Sequence, residues 1–166
     1  MTITVSWTRS VRSTNELIMA SDSRLSGGGG HIDVCQKIFL LPSGDVVIGF
    51  CGTTSRAYPV ILQVVNYVNN YPRALSRGMD INDLRGVITT ILNDFRQSHQ
   101  QSEPLDIGDD DTTTLFVLSG FSWRMNRFCI FTLHYDKSIK NYTFRPASAW
   151  GGQGKSVDRF GKRLSV

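Results

Sequence analysis

Two stretches of helical periodicity lie side by side in the middle of the chain, with strand-like sequence before and after them. Ala57, Val60, Ile61, Val64, Val65 and Val68 recur at the i, i+3, i+4, i+7 spacing of a single helix face. Leu84, Val87, Ile88, Ile91, Leu92 and Phe95 repeat it, with Asp80 and Asn82 ahead of them as caps. Pro59 is tolerated if it falls in the first helical turn, and Asn69-Asn70-Tyr71-Pro72 closes the first run. Ahead of the helices the period is two: Ile3, Val5 and Trp7 alternate with polar residues. Leu17-Ile18-Met19-Ala20 is a short apolar run suited to a strand buried on both faces. Gly27 to Gly30 reads as a loop. Residues 38–41 and 46–50 flank Pro42-Ser43-Gly44-Asp45 as a hairpin. Strands resume at 114–118, 128–133 and 141–144. After Gly151-Gly152-Gln153-Gly154, the spacing of Val157, Phe160 and Leu164 predicts a third helix. Strands and helices are therefore segregated rather than alternating, which makes the chain α+β and not doubly wound. Sheets packed together with helices outside is the expected arrangement.

Composition narrows the function classes. At 166 residues the whole of 1–166 is expected to be one domain, and 40% hydrophobic with 19% charged residues is a globular balance. No apolar run approaches the roughly 18 residues of a membrane span. Met1-Thr2-Ile3-Thr4 lacks the basic and apolar regions of a secretory signal. Cys35, Cys51 and Cys129 are odd in number and far apart, which points to a reducing, cytoplasmic compartment and no disulfide framework. The net charge of +4 gives no reason to expect nucleic acid, since no aromatic platform accompanies the basic residues of 155–163.

Several local patterns carry little chemistry. The acidic run Asp106, Asp109, Asp110 and Asp111 lacks calcium-loop spacing and reads as a solvated loop. His31, His99 and His134 are widely separated, with no zinc-protease or nucleophile-elbow motif. Residues 149–156 satisfy a relaxed phosphate-loop pattern, so a nucleotide-binding module using Gly154, Lys155 and Ser156 is one reading. The parallel α/β context that such loops open is missing.

The N-terminus offers more. Removing Met1 would expose Thr2, with an amine and a hydroxyl on one residue. An α-amine titrates near pH ~8 and can act as a base for its own hydroxyl. Such a nucleophile needs a cation beside it, an anion to hold the cation and an N–H for the oxyanion. Lys37, Asp22 and Gly52, at strand ends, are candidates for these parts.

Residues Ile18 to Arg24, then Gln36-Lys37-Ile38, then Ile48 to Gly52 resemble proteasome β-type subunits and their bacterial ATP-dependent relatives. The ordered set spans roughly residues 2–160, and the two helices and returning strands follow in the same order. The resemblance implies an N-terminal-nucleophile hydrolase fold, a four-layer αββα sandwich, here cut short at its C-terminus. It implies a threonine peptidase or other amidohydrolase acting on a peptide or amide substrate, with no metal and no cofactor. It also implies a homo-oligomer, ring-forming in many relatives, with an ATPase as partner, and neither nucleic acid nor membrane.

Residue by residue, Thr2 matches the nucleophile, Lys37 the lysine that lowers its pKa, and Asp22 the carboxylate paired with that lysine. Gly52 matches the oxyanion N–H, Arg24 a supporting basic residue, and Phe50 a place at the specificity pocket that would favour small acyl-side residues. The chain departs from the pattern in three places. The stretch from Thr2 to Asp22 is about four residues longer, an excess that a hairpin absorbs. Gln153 stands where the family's Gly-Ser-Gly turn has a supporting Ser, and the family's later supporting Asp and Ser have no counterpart. A catalytically inactive subunit of the same fold is therefore the alternative.

Overall fold

The computed structural model describes residues 3–27, 30–102, 114–146, 156–157 and 163–164. The element order is β1 (Thr4–Val11), β2 (Thr14–Ser21), β3 (Leu25–Gly27), β4 (Gly30–Ile32), β5 (Ile38–Leu40), β6 (Val46–Cys51), α1 (Thr54–Asn70), α2 (Pro72–Leu75) and α3 (Ile81–Ser102). Then follow β7 (Leu115–Ser122), β8 (Arg127–Asp136), β9 (Asn141–Pro146), β10 (Ser156–Val157) and β11 (Arg163–Leu164). The chain is mixed α+β with antiparallel sheets, as the segregated periods predict.

The central sheet runs β5-β6-β7-β8-β9, every pair antiparallel. Helices α1 and α3 cover one face. Ile61 and Val64 of α1 and Leu84 and Ile88 of α3 are at most 1% exposed, in one core with Ile48, Phe50, Leu118 and Leu133 from the strands. Each such side chain contributes about 1.5–3 kcal/mol by leaving water. The buried stripes are those of the helical spacing in the sequence. Asp80 caps α3, its Oδ1 accepting the Asn82 amide at 2.9 Å. No helix among the described residues is long and apolar enough to cross a membrane.

The β1–β2 hairpin lies over the other face of the sheet, in the register Thr4↔Ser21 to Val11↔Thr14. Its polar side is turned inward. Thr4 Oγ1 donates to the Phe50 carbonyl at 2.7 Å, and Ser6 Oγ lies 2.9 Å from Ser119 Oγ. The approach is closest at Gly49, where an added Cβ would stand 2.9 Å from Thr4 Cγ2 and 3.0 Å from Met19 Sδ.

Several expectations are corrected. The apolar alternation of β1 does not mark its inner face: Ile3 and Trp7 are 40% and 37% exposed while Thr4 is 3% exposed. Short hydroxyl side chains fit the close approach and find partners, which longer apolar ones would not. Leu17 to Met19 are half-buried and Ala20 is exposed, so this strand is not covered on both faces. Residues 25–27 and 30–32 pair as strands β3 and β4, where the glycines suggested only loop. Pro59 sits beyond the first turn of α1, which begins at Thr54. The carbonyl of Ser55, which Pro59 cannot bond, belongs to an exposed residue that water can serve.

The third helix is replaced, among the described residues, by β10 pairing with β11 through Ser156↔Leu164 and Val157↔Arg163. Three apolar positions are too few to fix a period, and Gly161 between them favours a turn over a helix. The described residues make three layers, hairpin, sheet and helices; the fourth layer of the expected sandwich is not among them.

Candidate functional site

The start of β1, the end of β2 and the residue before β5 meet at one corner of the sheet. Asp22 follows β2 directly, and its carboxylate has two partners. Oδ1 accepts the backbone amide of Ile3 at 2.7 Å, and Oδ2 accepts Lys37 Nζ at 2.8 Å. The Asp22 amide returns a bond to the Ile3 carbonyl at 3.2 Å. Asp22 thus fixes the chain at Ile3, the residue after Thr2, and holds the lysine beside it.

Lys37 is 1% exposed. A buried ammonium is tolerated only when paired and hydrogen-bonded, and Lys37 also donates to the Arg24 carbonyl. Burial works to raise the Asp22 carboxyl, but the Lys37 hydrogen bond, the Ile3 amide and the charge of Lys37 outweigh it and hold the carboxyl below its ordinary value. The carboxylate is therefore ionised at neutral pH.

The backbone around Lys37 is pinned from two sides. Its carbonyl accepts the Phe50 amide at 3.2 Å, and the Phe50 carbonyl in turn accepts Thr4 Oγ1. Tyr58 of α1 donates its hydroxyl to the Gln36 carbonyl at 2.8 Å and also contacts Cys35 Sγ. Burial, helped by Cys35, pushes the Tyr58 phenol up to about 12, so it remains a donor. Gly52 follows β6 with φ +113°, in the region that disfavours side chains, immediately before Thr53 and the start of α1.

Of the residues marked in the sequence, Asp22 and Lys37 come together as an ion pair and Gly52 lies at a strand end that feeds a helix N-terminus. Arg24 reaches Lys37 through its carbonyl; its guanidinium turns outward to Asp33 at 2.6 Å. The Phe50 ring is 0% exposed and packs edge-on against Tyr58, centroids 5.5 Å apart. Thr2 and Gln153 lie outside the described residues, as do Gly154, Lys155 and the acidic run 106–111. Ser156, which would open a helix in a phosphate loop, instead begins β10.

His31 lies 3.9 Å from Asp33, and His134 is on β8. The sequence reading missed the Ile3 amide, the Arg24 carbonyl and the Phe50 backbone because main-chain groups carry no residue signature. Tyr58 had no signal beyond its place two residues before Val60.

No protein-family model matches the chain, and a search of curated proteins returns no match. Solved structures do match. The Gly-1 mutant of Anbu from Hyphomicrobium sp. strain MC1 superposes with a TM-score of 0.58 at 15% identity, over 87% of this chain and 57% of that one. The helical assembly of the Anbu complex from Pseudomonas aeruginosa gives 0.60 at 14% identity, over 91% and 63%. The chain thus spans about three fifths of the length of these structures. Anbu chains have a proteasome-like N-terminal-nucleophile fold, and the likeness shows that fold for this chain. It corrects the resemblance drawn from the motifs: these neighbours are Anbu chains rather than proteasome β-type subunits or their ATP-dependent relatives, and no family model supports the ordered motifs as a mark of membership.

Proposed function

We propose that the chain is a threonine-type amide hydrolase of the N-terminal-nucleophile kind, acting on peptide bonds through Thr2 once Met1 is removed. The observation that carries this reading is the Asp22 carboxylate, bonded at once to the buried Lys37 ammonium and to the amide of the residue after Thr2. An ammonium at that position favours the deprotonated forms of a neighbouring amine and hydroxyl. The freed amine of Thr2 takes the proton of its own hydroxyl as the oxygen attacks the substrate carbonyl. The Gly52 amide, just ahead of the positive end of α1, receives the developing oxyanion. The collapsing intermediate leaves an ester on Thr2 and releases the amine product; water then cleaves the ester. Phe50, whose ring is wholly buried against Tyr58, would on this reading close the acyl side of the site to all but small residues.

Self-association belongs to this reading, supported by the helical assembly that the Pseudomonas aeruginosa protein forms. Intact-mass measurement and a β-lactone probe test the chemistry. Mature protein lacking Met1, labelled on Thr2, with labelling lost in Thr2→Ala and kept in part in Thr2→Ser, is the expected result. Retention of Met1, or labelling that survives Thr2→Ala, would sink it. Gln153, in place of a supporting Ser, favours the alternative of an inactive subunit, which predicts a free Thr2 that no probe acylates.

A further inference from the structure

Tyr58 lies one turn into α1, and its hydroxyl reaches across to the segment that carries Lys37. It donates to the Gln36 carbonyl at 2.8 Å, with the Cys35 thiol against the same oxygen. Residues 33–37 lie between β4 and β5 and take no part in a strand ladder. Scattered bonds place them instead. The Cys35 amide donates to the Ser23 carbonyl at 2.9 Å, the Lys37 carbonyl accepts the Phe50 amide at 3.2 Å, and Tyr58 adds a bond from the helix layer.

The Tyr58 ring is held by other contacts. It meets Phe39 edge-on with centroids 5.9 Å apart, and Phe50 at 5.5 Å. Such ring contacts survive loss of the hydroxyl. Gln36 is exposed, so water can serve its carbonyl. What water does not supply is a fixed distance between α1 and Lys37. That distance matters because Gly52 and Thr53 lead into the first turn of the same helix. Lysine carries a point charge on a flexible four-carbon stem, so its main chain must be held if the charge is to be held.

We propose that Tyr58 is a positioning residue. Its hydroxyl holds the Gln36–Lys37 main chain at a set distance from the start of α1, and so keeps the Lys37 ammonium on Asp22 in fixed relation to Gly52. The purpose of this tie rests on the hydrolase reading; the tie itself does not.

Two measurements on the full chain test it, each comparing wild type with Tyr58→Phe, which keeps both ring contacts. The Lys37 ammonium, 1% exposed and bonded to Asp22 and Arg24, should give a slowly exchanging signal in nitrogen NMR at neutral pH. In Tyr58→Phe its protons should exchange about tenfold or more faster, while the amides of α3 stay as protected as before. β-Lactone labelling of Thr2 should fall about tenfold at neutral pH and recover in alkali. Its pH limb should move upward by about one pH unit, because a misplaced cation no longer favours the deprotonated amine. Tyr67→Phe, on the same helix, should change neither reading. Should Tyr58→Phe not fold, Tyr58→Met also lacks the hydroxyl and carries the same readings. Faster ammonium exchange in the variant, with a wild-type Thr2 that no probe labels, would sink the hydrolase reading and leave the Tyr58 tie standing. No slow ammonium signal in the wild type, an exchange rate unchanged in Tyr58→Phe, or a labelling loss equal at every pH would overturn the proposal.

Discussion

Asp22 and Asp80 are both held below the ordinary carboxyl pKa, and they are held differently. Asp80, at the start of α3, is 0% exposed. Its oxygens accept the Asn82 amide at 2.9 Å, Asn82 Nδ2 at 2.6 Å, Ser122 Oγ at 2.9 and 3.1 Å, and the Arg124 amide at 3.2 Å. Burial raises its carboxyl, and the two bonds from Asn82, with those from Arg124 and Ser122, overcome that. Every donor that bonds it is neutral, and the cluster joins a helix cap to the turn between β7 and β8. Asp22 is 31% exposed at its side chain, and its strongest partner is a buried cation. A carboxylate closed off by neutral donors locks two elements together and does nothing else. One that bonds both a buried cation and the Ile3 amide leaves a charge that, under the proposed function, Thr2 would use. Under that proposal the contrast separates a structural from a chemical use of the same residue type.

The largest effect should fall on the structural member. Asp80→Ala would strand Ser122 and Asn82 without their acceptor, at a cost of about 3 kcal/mol in urea unfolding. A loss under about 1 kcal/mol would break the comparison at its firmer end. Gly49→Ala should cost about 2 kcal/mol, because the new methyl meets Thr4 and Met19 inside van der Waals distance. Its hydrogen-exchange signature should appear at Ile3 and Asp22 and not around Asp80.

Asp22→Asn comes next for stability, at about 1.5 kcal/mol, below the full cost of breaking a buried pair because the Asp22 side chain is 31% exposed and an amide oxygen there still accepts from Lys37. Probe labelling of Thr2 should nevertheless fall about a hundredfold or more in this variant and stay near wild type in Asp80→Asn. The two sites also predict the acid limb. Both carboxyls are depressed in the fold, so the unfolded chain takes up their protons first as pH falls. Their stabilisation is whole above the unfolded value of about 3.9 and is lost as pH drops through the lower native values. Unfolding midpoints measured down that range should slope less steeply in either Asn variant; an unchanged slope would remove that carboxylate from the account. Smallest of all, Arg24→Ala should change stability by no more than about 0.5 kcal/mol, because its ion pair with Asp33 is exposed on both sides.

Sequence patterning made part of this legible. The stripes of α1 and α3 are visible because each repeats over three turns, long enough to fix a period, and Asp80 is marked by its place one turn ahead of such a stripe. Asp22 and Lys37 are visible only as strand-end residues of the right type. Nothing local says that their side chains meet, since 15 positions and a hairpin separate them. The inward face of β1 was misread because apolar alternation is the usual guide to burial, and here two hydroxyls with partners across the layer outrank it. The end of the chain offered Val157, Phe160 and Leu164, whose spacing suits a helix by coincidence as readily as by design.

The polar seam under the hairpin has a thermal consequence. The helix-covered face is joined by many apolar side chains, so its separation exposes hydrocarbon and carries a large increase in heat capacity. The described contacts of the β1–β2 layer with the sheet include two hydroxyl bonds and a methionine set against a glycine, and its apolar residues Leu17 to Met19 are only half-buried, so lifting it exposes less hydrocarbon than parting the helices. Its opening should then carry the smaller heat-capacity change of the two, with a free energy that varies more gently with temperature.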